Sequence, residues 1–188
     1  CKLYNNTAKS NTIIESEEMT VVTLFPTSNA TDVTGLTNPN NAHDDNGVYA
    51  TCAPAKNARV SSDYAGFGFD AQIPSGSVIN SVKLIYEFKV SVTNSIANAN
   101  IAYVTGGSHG SLNQDATEPT VDTIVTVDVT GARSWIRDDL LDATFKVHLE
   151  GHRGNSNTAV TFSFDFVKVE VNYTYTPPTG FSRGFVMG

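Results

Sequence analysis

The sequence predicts an all-β protein: an antiparallel β-sandwich of jelly-roll type with eight or nine strands and one short helix near Trp135. Three observations predict it. Apolar residues alternate with polar ones, most clearly Val82, Leu84, Tyr86, Phe88, Val90 and Val92 against Lys83, Glu87, Lys89, Ser91 and Thr93, with only Ile85 out of step. A period of two buries one strand face and leaves the other wet. Clusters of Gly, Pro, Asn and Asp punctuate these segments at regular spacing, and no strand–helix–strand rhythm runs through the chain.

In order, residues 1–18 lack periodicity and read as an extended N-terminal arm. Residues 19–25 form a first strand, ended by Pro26. A long polar loop leads into 38–51, where Asn46-Gly47 signals a tight turn, because both central positions of a type I′ turn need φ > 0. A strand starts near Val48 and runs to Ala53. Residues 59–71 hold Val60 and the alternating pair Phe67 and Phe69, with glycines that suit a bend or bulge. The alternating strand from Val82 follows, and after a polar turn Ala97, Ala99, Ile101 and Tyr103 repeat its pattern.

Residues 105–120 form a loop long enough to raise the question of function. Val121, Val125, Val127 and Val129 make another strand. Residues 130–141 then lose the alternation and place Ala132, Trp135, Ile136 and Leu140 at helical spacing, with Thr130 as cap, which predicts a helix of about two or three turns packing Trp135 on the sandwich edge. Ala143, Phe145, Val147 and Leu149 give a strand closed by a turn over 151–157. In the last strand Val160, Phe162, Phe164 and Phe166 take even positions, whereas Val167, Val169, Val171 and Tyr173 take odd ones. A phase switch within one apolar stretch requires a bulge or break, and Asp165 sits at it. Pro177-Pro178 ends the sheet, so the sandwich spans 19–175 and residues 176–188 read as an exit linker.

The chain is long enough, at 188 residues, for a substantial core in one domain. Only 16% of it is charged, and Asn, Thr, Ser and Gly take the place of the missing charge, as suits extracellular and viral β-proteins. A net charge of −7 with 12 Lys and Arg argues against nucleic acid as a partner and against anionic membrane surfaces. No apolar run approaches the ~20 residues that span a bilayer, so no membrane insertion is expected. Cys1 and Cys52 either pair in an oxidising compartment or stay free. Opening on Cys1 without an initiator Met reads as a fragment or a processed product; a mature lipoprotein also begins with Cys and a polar tether. Asn5, Asn29 and Asn172 stand in N-glycosylation patterns that an Asn- and Thr-rich chain produces by chance.

Candidate chemistry is sparse. Gly106-Gly107-Ser108-His109-Gly110 matches the Gly-x-Ser-x-Gly pattern of a nucleophile elbow, but the required helix after it is missing. Asp44, Asp45 and Asn46 offer clustered hard oxygens, and calcium is the ion they would suit. Their spacing is not that of an EF-hand, since Ala42 stands at the first ligand position and Ala53 at the bidentate one; Asp and Asn bonding to their own turn backbone accounts for the same residues. Asp165 is a further oxygen ligand if it points inward. Lys146, His148 and Glu150 share one strand face, with His152 in the turn beyond; the alternation makes that face solvent-facing. No catalytic residue and no cofactor is indicated beyond the calcium option. The loops that would meet a ligand contain His43, Asp44 and Asn46 in one case and Ser108 and His109 in the other.

The run from Asn38 to Ala42, then Asp45 to Thr51, Gly66-Phe67-Gly68-Phe69 and Ile73-Pro74-Ser75-Gly76-Ser77-Val78-Ile79 resembles a recurrent domain of tailed-phage and prophage virion proteins, tail-fibre-like or decoration proteins. The later Asp128-Val129-Thr130, Trp135 and Phe166 to Thr174 fit too, and also look like the galactose-binding-like sandwiches of cell-surface modules. The resemblance covers about residues 20–175 and brings no catalytic residues with it. It implies a non-enzymatic structural or attachment module of a virion, located in the virion and partnered by itself as a homo-oligomer and by other virion proteins. The arm would serve assembly through Cys1, Leu3, Tyr4, Ile13 and Ile14, covering exposed strand edges. The alternatives are a carbohydrate- or surface-binding module whose loops meet a surface glycan, and an extracellular subunit of a lipid-anchored or filamentous cell-surface protein.

Overall fold

The computed structural model describes residues 18–30 and 35–177, so the expected roles of Cys1, Leu3, Tyr4, Ile13 and Ile14 and most of the exit linker lie outside the described residues. The alternating segments become strands: β1 (Glu18–Leu24), β2 (Ser28–Ala30), β3 (Ala50–Cys52), β4 (Ala58–Ala65), β5 (Val78–Val90), β6 (Ala97–Thr105), β7 (Ser108–His109), β8 (Asn113–Asp115), β9 (Thr123–Asp128), β10 (Lys146–Arg153) and β11 (Phe162–Tyr175), with one helical turn, α1 (Phe69–Gln72). All the strand pairs are antiparallel. They build two packed sheets, the sandwich that the alternation predicts. One has the order β1-β11-β5-β9 with β3 also on β11; the other runs β2-β4-β10-β6-β7 with β8 also on β6.

Between the sheets lies a phenylalanine-rich core. Tyr86, Phe88, Phe162 and Phe164 from β5 and β11 face Tyr64, Ile101, Val147 and Leu149 from β4, β6 and β10. The Phe162 and Phe164 rings stack at 6.0 Å, and Phe164 lies 6.2 Å from Phe88. Gly151, on the inner face of β10, leaves room for the β11 aromatics: a Cβ there would stand 2.7 Å from Cys52 Sγ and 2.8 Å from the Phe162 ring. Cys52 is buried and its thiol is pushed up to about 12 by that burial, so it behaves as a small apolar residue.

The phase switch in β11 is a β-bulge. The register against β5 shifts between Phe164 and Phe166, leaving Asp165 as the extra residue. Phe164 therefore faces the core, whereas Phe166, opposite Glu87, turns to the outside and is buried there against Phe25, with the Lys168 ammonium 4.3 Å from its ring.

One expectation is corrected. Residues 130–141 do not form a helix of two or three turns; they make two 3-10 turns, Thr130–Ala132 and Arg137–Leu140, with Ile136 extended between them and bridged to Val78. Helical spacing arises here because Trp135 and Leu140 plug the end of the sandwich from a winding chain. Trp135 packs on Tyr103 at 4.8 Å and donates its indole N–H to the Val129 carbonyl. At 59–71 the glycines make a bend. The chain leaves β4 at Ala65, reverses through Gly66 and Gly68, both at positive φ, and enters α1. Phe67, Phe69 and Phe145 then form an aromatic cluster at that end.

Candidate functional site

On the outer face of the six-stranded sheet, register across β4, β10 and β6 aligns Asp63 with His148 and Ala102, Ser61 with Glu150 and Asn100, and Arg59 with His152 and Asn98. Lys146 lies one row further, opposite Val104, which pairs on its other side with His109 of β7. This face was expected to be solvated. Its centre is not: His148 is 8% exposed and Glu150 5%, and Asn100 is fully buried.

Burial forces these groups to satisfy one another. His148 Nδ1 lies 2.8 Å from Asp63 Oδ1, and Glu150 Oε1 accepts from Arg59 Nη1 and Asn100 Nδ2, both at 2.6 Å. The other imidazole nitrogen, Nε2, is 3.8 Å from Glu150 Oε2, and the His109 ring sits edge-on to His148 at 5.2 Å. Desolvation alone would lower the His148 imidazolium, but bonding and attraction to Asp63 and Glu150 outweigh it and hold the group up to about 9. Burial would raise Glu150; His148, Asn100 and Arg59 instead bring it down to about 2. Asp63 is likewise lowered, its desolvation outweighed by His148. At neutral pH the row is thus carboxylate, imidazolium, carboxylate, closed by a guanidinium.

Among the residues expected to carry function, the structure scatters several. The 39–42 stretch is a 3-10 turn, and Asn38 before it has positive φ. His43 is half-buried, edge-on to Tyr64 and bridged through its backbone to Phe166, so it packs rather than faces a ligand. Asp44, Asp45 and Asn46 are exposed, and the Asn46 side-chain Oδ1 accepts from the Val48 N–H. Gly47 alone of the Asn46-Gly47 pair has positive φ, so the type I′ turn does not form; its N–H donates to Asp165 Oδ1 at 2.9 Å. Asp165 therefore ties the 43–47 loop to the bulge. Among the described residues no three His, Cys, Asp or Glu side chains converge to hold a metal ion.

Gly106-Gly107 is a two-residue hairpin turn between β6 and β7, with both glycines at positive φ and Thr105 paired to Ser108. Turn geometry, not a nucleophile, explains that motif. Ser108 and His109 are both exposed at the β7 edge of the sheet, while the 39–42 turn packs mainly on β11 and β3 of the other sheet, with β2 beside it. The two expected binding loops are not brought together. Asn172 sits within β11 and accepts from the Asn80 amide, an interior strand position unlike the surface loop a glycan acceptor needs. Sequence reasoning overlooked Asp63, Arg59, Asn98 and Asn100. The available signal was Asn98 and Asn100 alternating with inward Ala97, Ala99 and Ile101, since Asn is depleted in strands.

No protein-family model and no curated protein matches the chain. Among solved structures, one described as "CBM4 structure and function" is similar at 16% identity and a TM-score of 0.42, over 68% of this chain and 87% of that one. A "xylan-binding module CBM15" is similar at 13% identity and a TM-score of 0.44, over 82% and 97%. An infectious bursal disease virus structure is similar at 12% identity and a TM-score of 0.39; the match takes in 82% of this chain and 32% of that one.

Proposed function

We propose that this protein is a non-catalytic recognition module that binds carbohydrate on the outer face of its six-stranded sheet, along β10. One observation carries the reading: the central strands hold their polar side chains rigidly, through bonds that cross three strands, where an outer sheet face needs none. Sugars are recognised by planar amide, carboxylate, imidazole and guanidinium groups that donate to and accept from hydroxyls, and such groups discriminate best when their rotamers are already set. The face presents Asn98, His109 and His152 around the locked row.

Catalysis by the same row is disfavoured by its protonation. General acid–base work is most efficient for groups that titrate near the working pH, and His148, held up to about 9, and Glu150, brought down to about 2, both lie far from neutrality. A glycan array with polysaccharide affinity gels tests the reading. Binding should be present and should fall at least fivefold in Asn98→Ala and His109→Ala, while Asp44→Ala, in the exposed loop beside the other sheet, leaves it unchanged. No glycan binding, or binding indifferent to the first two variants, would refute it.

A structural or attachment module of a virion is the second reading. What favours it is β1, an edge strand of the five-stranded sheet among the described residues, with Met19 and Val21 exposed and the 1–17 segment leading directly into it. An unpaired edge of this kind invites a strand from a neighbouring copy.

A further inference from the structure

The outer faces of the two sheets differ in charge. On the five-stranded sheet each lysine is committed: Lys83 to Glu170 at 2.8 Å, Lys89 to Tyr49 and Asp122, and Lys168 over the Phe166 ring. Carboxylates at Glu87 and Asp128 add to that face. The six-stranded sheet is the reverse. On its outer face the described carboxylates are Asp63 and Glu150, since Asp115 of β8 lies opposite the inward Ala99; they lie beneath, with side chains 16% and 7% exposed. Its cations stand above them: the Arg59 side chain is 47% exposed and that of Lys146 37%. In a chain of net charge −7, a molecule approaching this face meets positive charge first.

The hydrogen-bond balance points the same way. Glu150 Oε1 already accepts twice, and Asp63 Oδ1 accepts from His148. The Lys146 ammonium is 4.0 Å from Asp63 Oδ2, too far for a hydrogen bond, and Arg59 spends one of its five N–H donors on Glu150. Donor capacity is left over on the exposed groups. Arg59 reaches Glu150, four residues along β10 from Lys146, so the two cations are separated by about 13 Å along the strand. An oligosaccharide spans that distance and a monosaccharide does not.

We infer that the ligand is an acidic oligosaccharide, carrying carboxylate or sulfate groups, which lies along β10 with its acid groups on Lys146 and Arg59 and its hydroxyls between them. This rests on the carbohydrate-binding reading above. Arginine engages either acid group through paired N–H donors, and lysine engages it as a point charge.

The test is titration calorimetry of the whole chain with polygalacturonate, heparin, neutral xylan and poly-L-glutamate. Polygalacturonate or heparin should bind at least tenfold tighter than xylan, weaken with added salt, and lose at least fivefold in affinity in Lys146→Gln. Polygalacturonate binding shows that carboxylate suffices, whereas binding of heparin alone, which carries both groups, shows that sulfate is needed. Lys83→Gln, on the opposite sheet, should leave binding unchanged, and both variants should keep the wild-type melting temperature within a few degrees. Xylan binding as tight as polygalacturonate and heparin, with Lys146→Gln indifferent, overturns the acidic preference and leaves the carbohydrate reading standing. Poly-L-glutamate binding as tightly as the acidic polysaccharides overturns the inference in favour of a general polyanion surface. Failure to bind any of the three polysaccharides overturns both readings.

Discussion

The protonated state of His148 should be visible in the pH dependence of stability. Its imidazolium is held at about 9 in the folded chain by Asp63 and Glu150, against the ordinary value of 6.5 that the unfolded chain restores. Because the folded value is the higher, the stabilisation is fully present below about pH 6.5 and is lost as pH rises through 9. Each tenfold in proton affinity is worth about 1.4 kcal/mol, so the ceiling is on the order of 3 kcal/mol; sharing of the interaction with Asp63 and Glu150 brings the expectation to about 1–3 kcal/mol. Urea unfolding from pH 6 to pH 9.5 measures it, and His148→Gln provides the comparison, since glutamine donates to Asp63 without charge. His43 and His152, both lowered, and the Cys52 thiol, raised by burial, add their own slopes at the two ends of the window, but these are common to both proteins and cancel in the difference. Wild type should lose about 1–3 kcal/mol more stability across the window than the variant. Equal slopes for the two proteins would refute the account of the network.

Two further outcomes follow from the packing. Gly151→Ala should destabilise by about 1–3 kcal/mol in urea unfolding, because its Cβ would press on Cys52 Sγ and the Phe162 ring; adding Cys52→Ala should recover part of the loss. Asp165→Ala should cost about 1–2 kcal/mol by leaving the Gly47 N–H without its acceptor, and should speed hydrogen exchange at Gly47 while Asp165→Asn, which keeps a carbonyl oxygen, costs less.

The sandwich was legible because its core strands obey the period of two at most inner positions, and the change of phase at Asp165 marked the bulge to the residue. Residues 130–141 misled because spacing of three and four also arises when a non-helical chain winds past a pocket; the fixed points are Trp135 and Leu140, and Ile136 between the turns is extended. The loop at 38–47 and the bulge read as separate features. The Gly47 to Asp165 bond, across 118 residues, joins them, and no local pattern encodes such a bond. The same limit hid the site. Alternation correctly put His148 and Glu150 on the outer face, but whether an outer residue is wet depends on its neighbours on β4 and β6, namely Asp63, Arg59 and Asn100.

That dependence is also the argument for recognition over mere stability. Burying a pair of charges returns little net stability, since desolvation consumes most of the attraction, and an apolar or β-branched replacement of similar volume serves a sheet at least as well. The chain uses that simpler solution at one position of its other outer face, where Ile85 lies opposite Thr126. Placing two carboxylates, an imidazolium, a guanidinium and an amide on adjacent central strands is thus a departure from what folding requires. Its physical consequence is a set of polar groups whose positions are fixed before any ligand arrives, under cations that remain free to meet one.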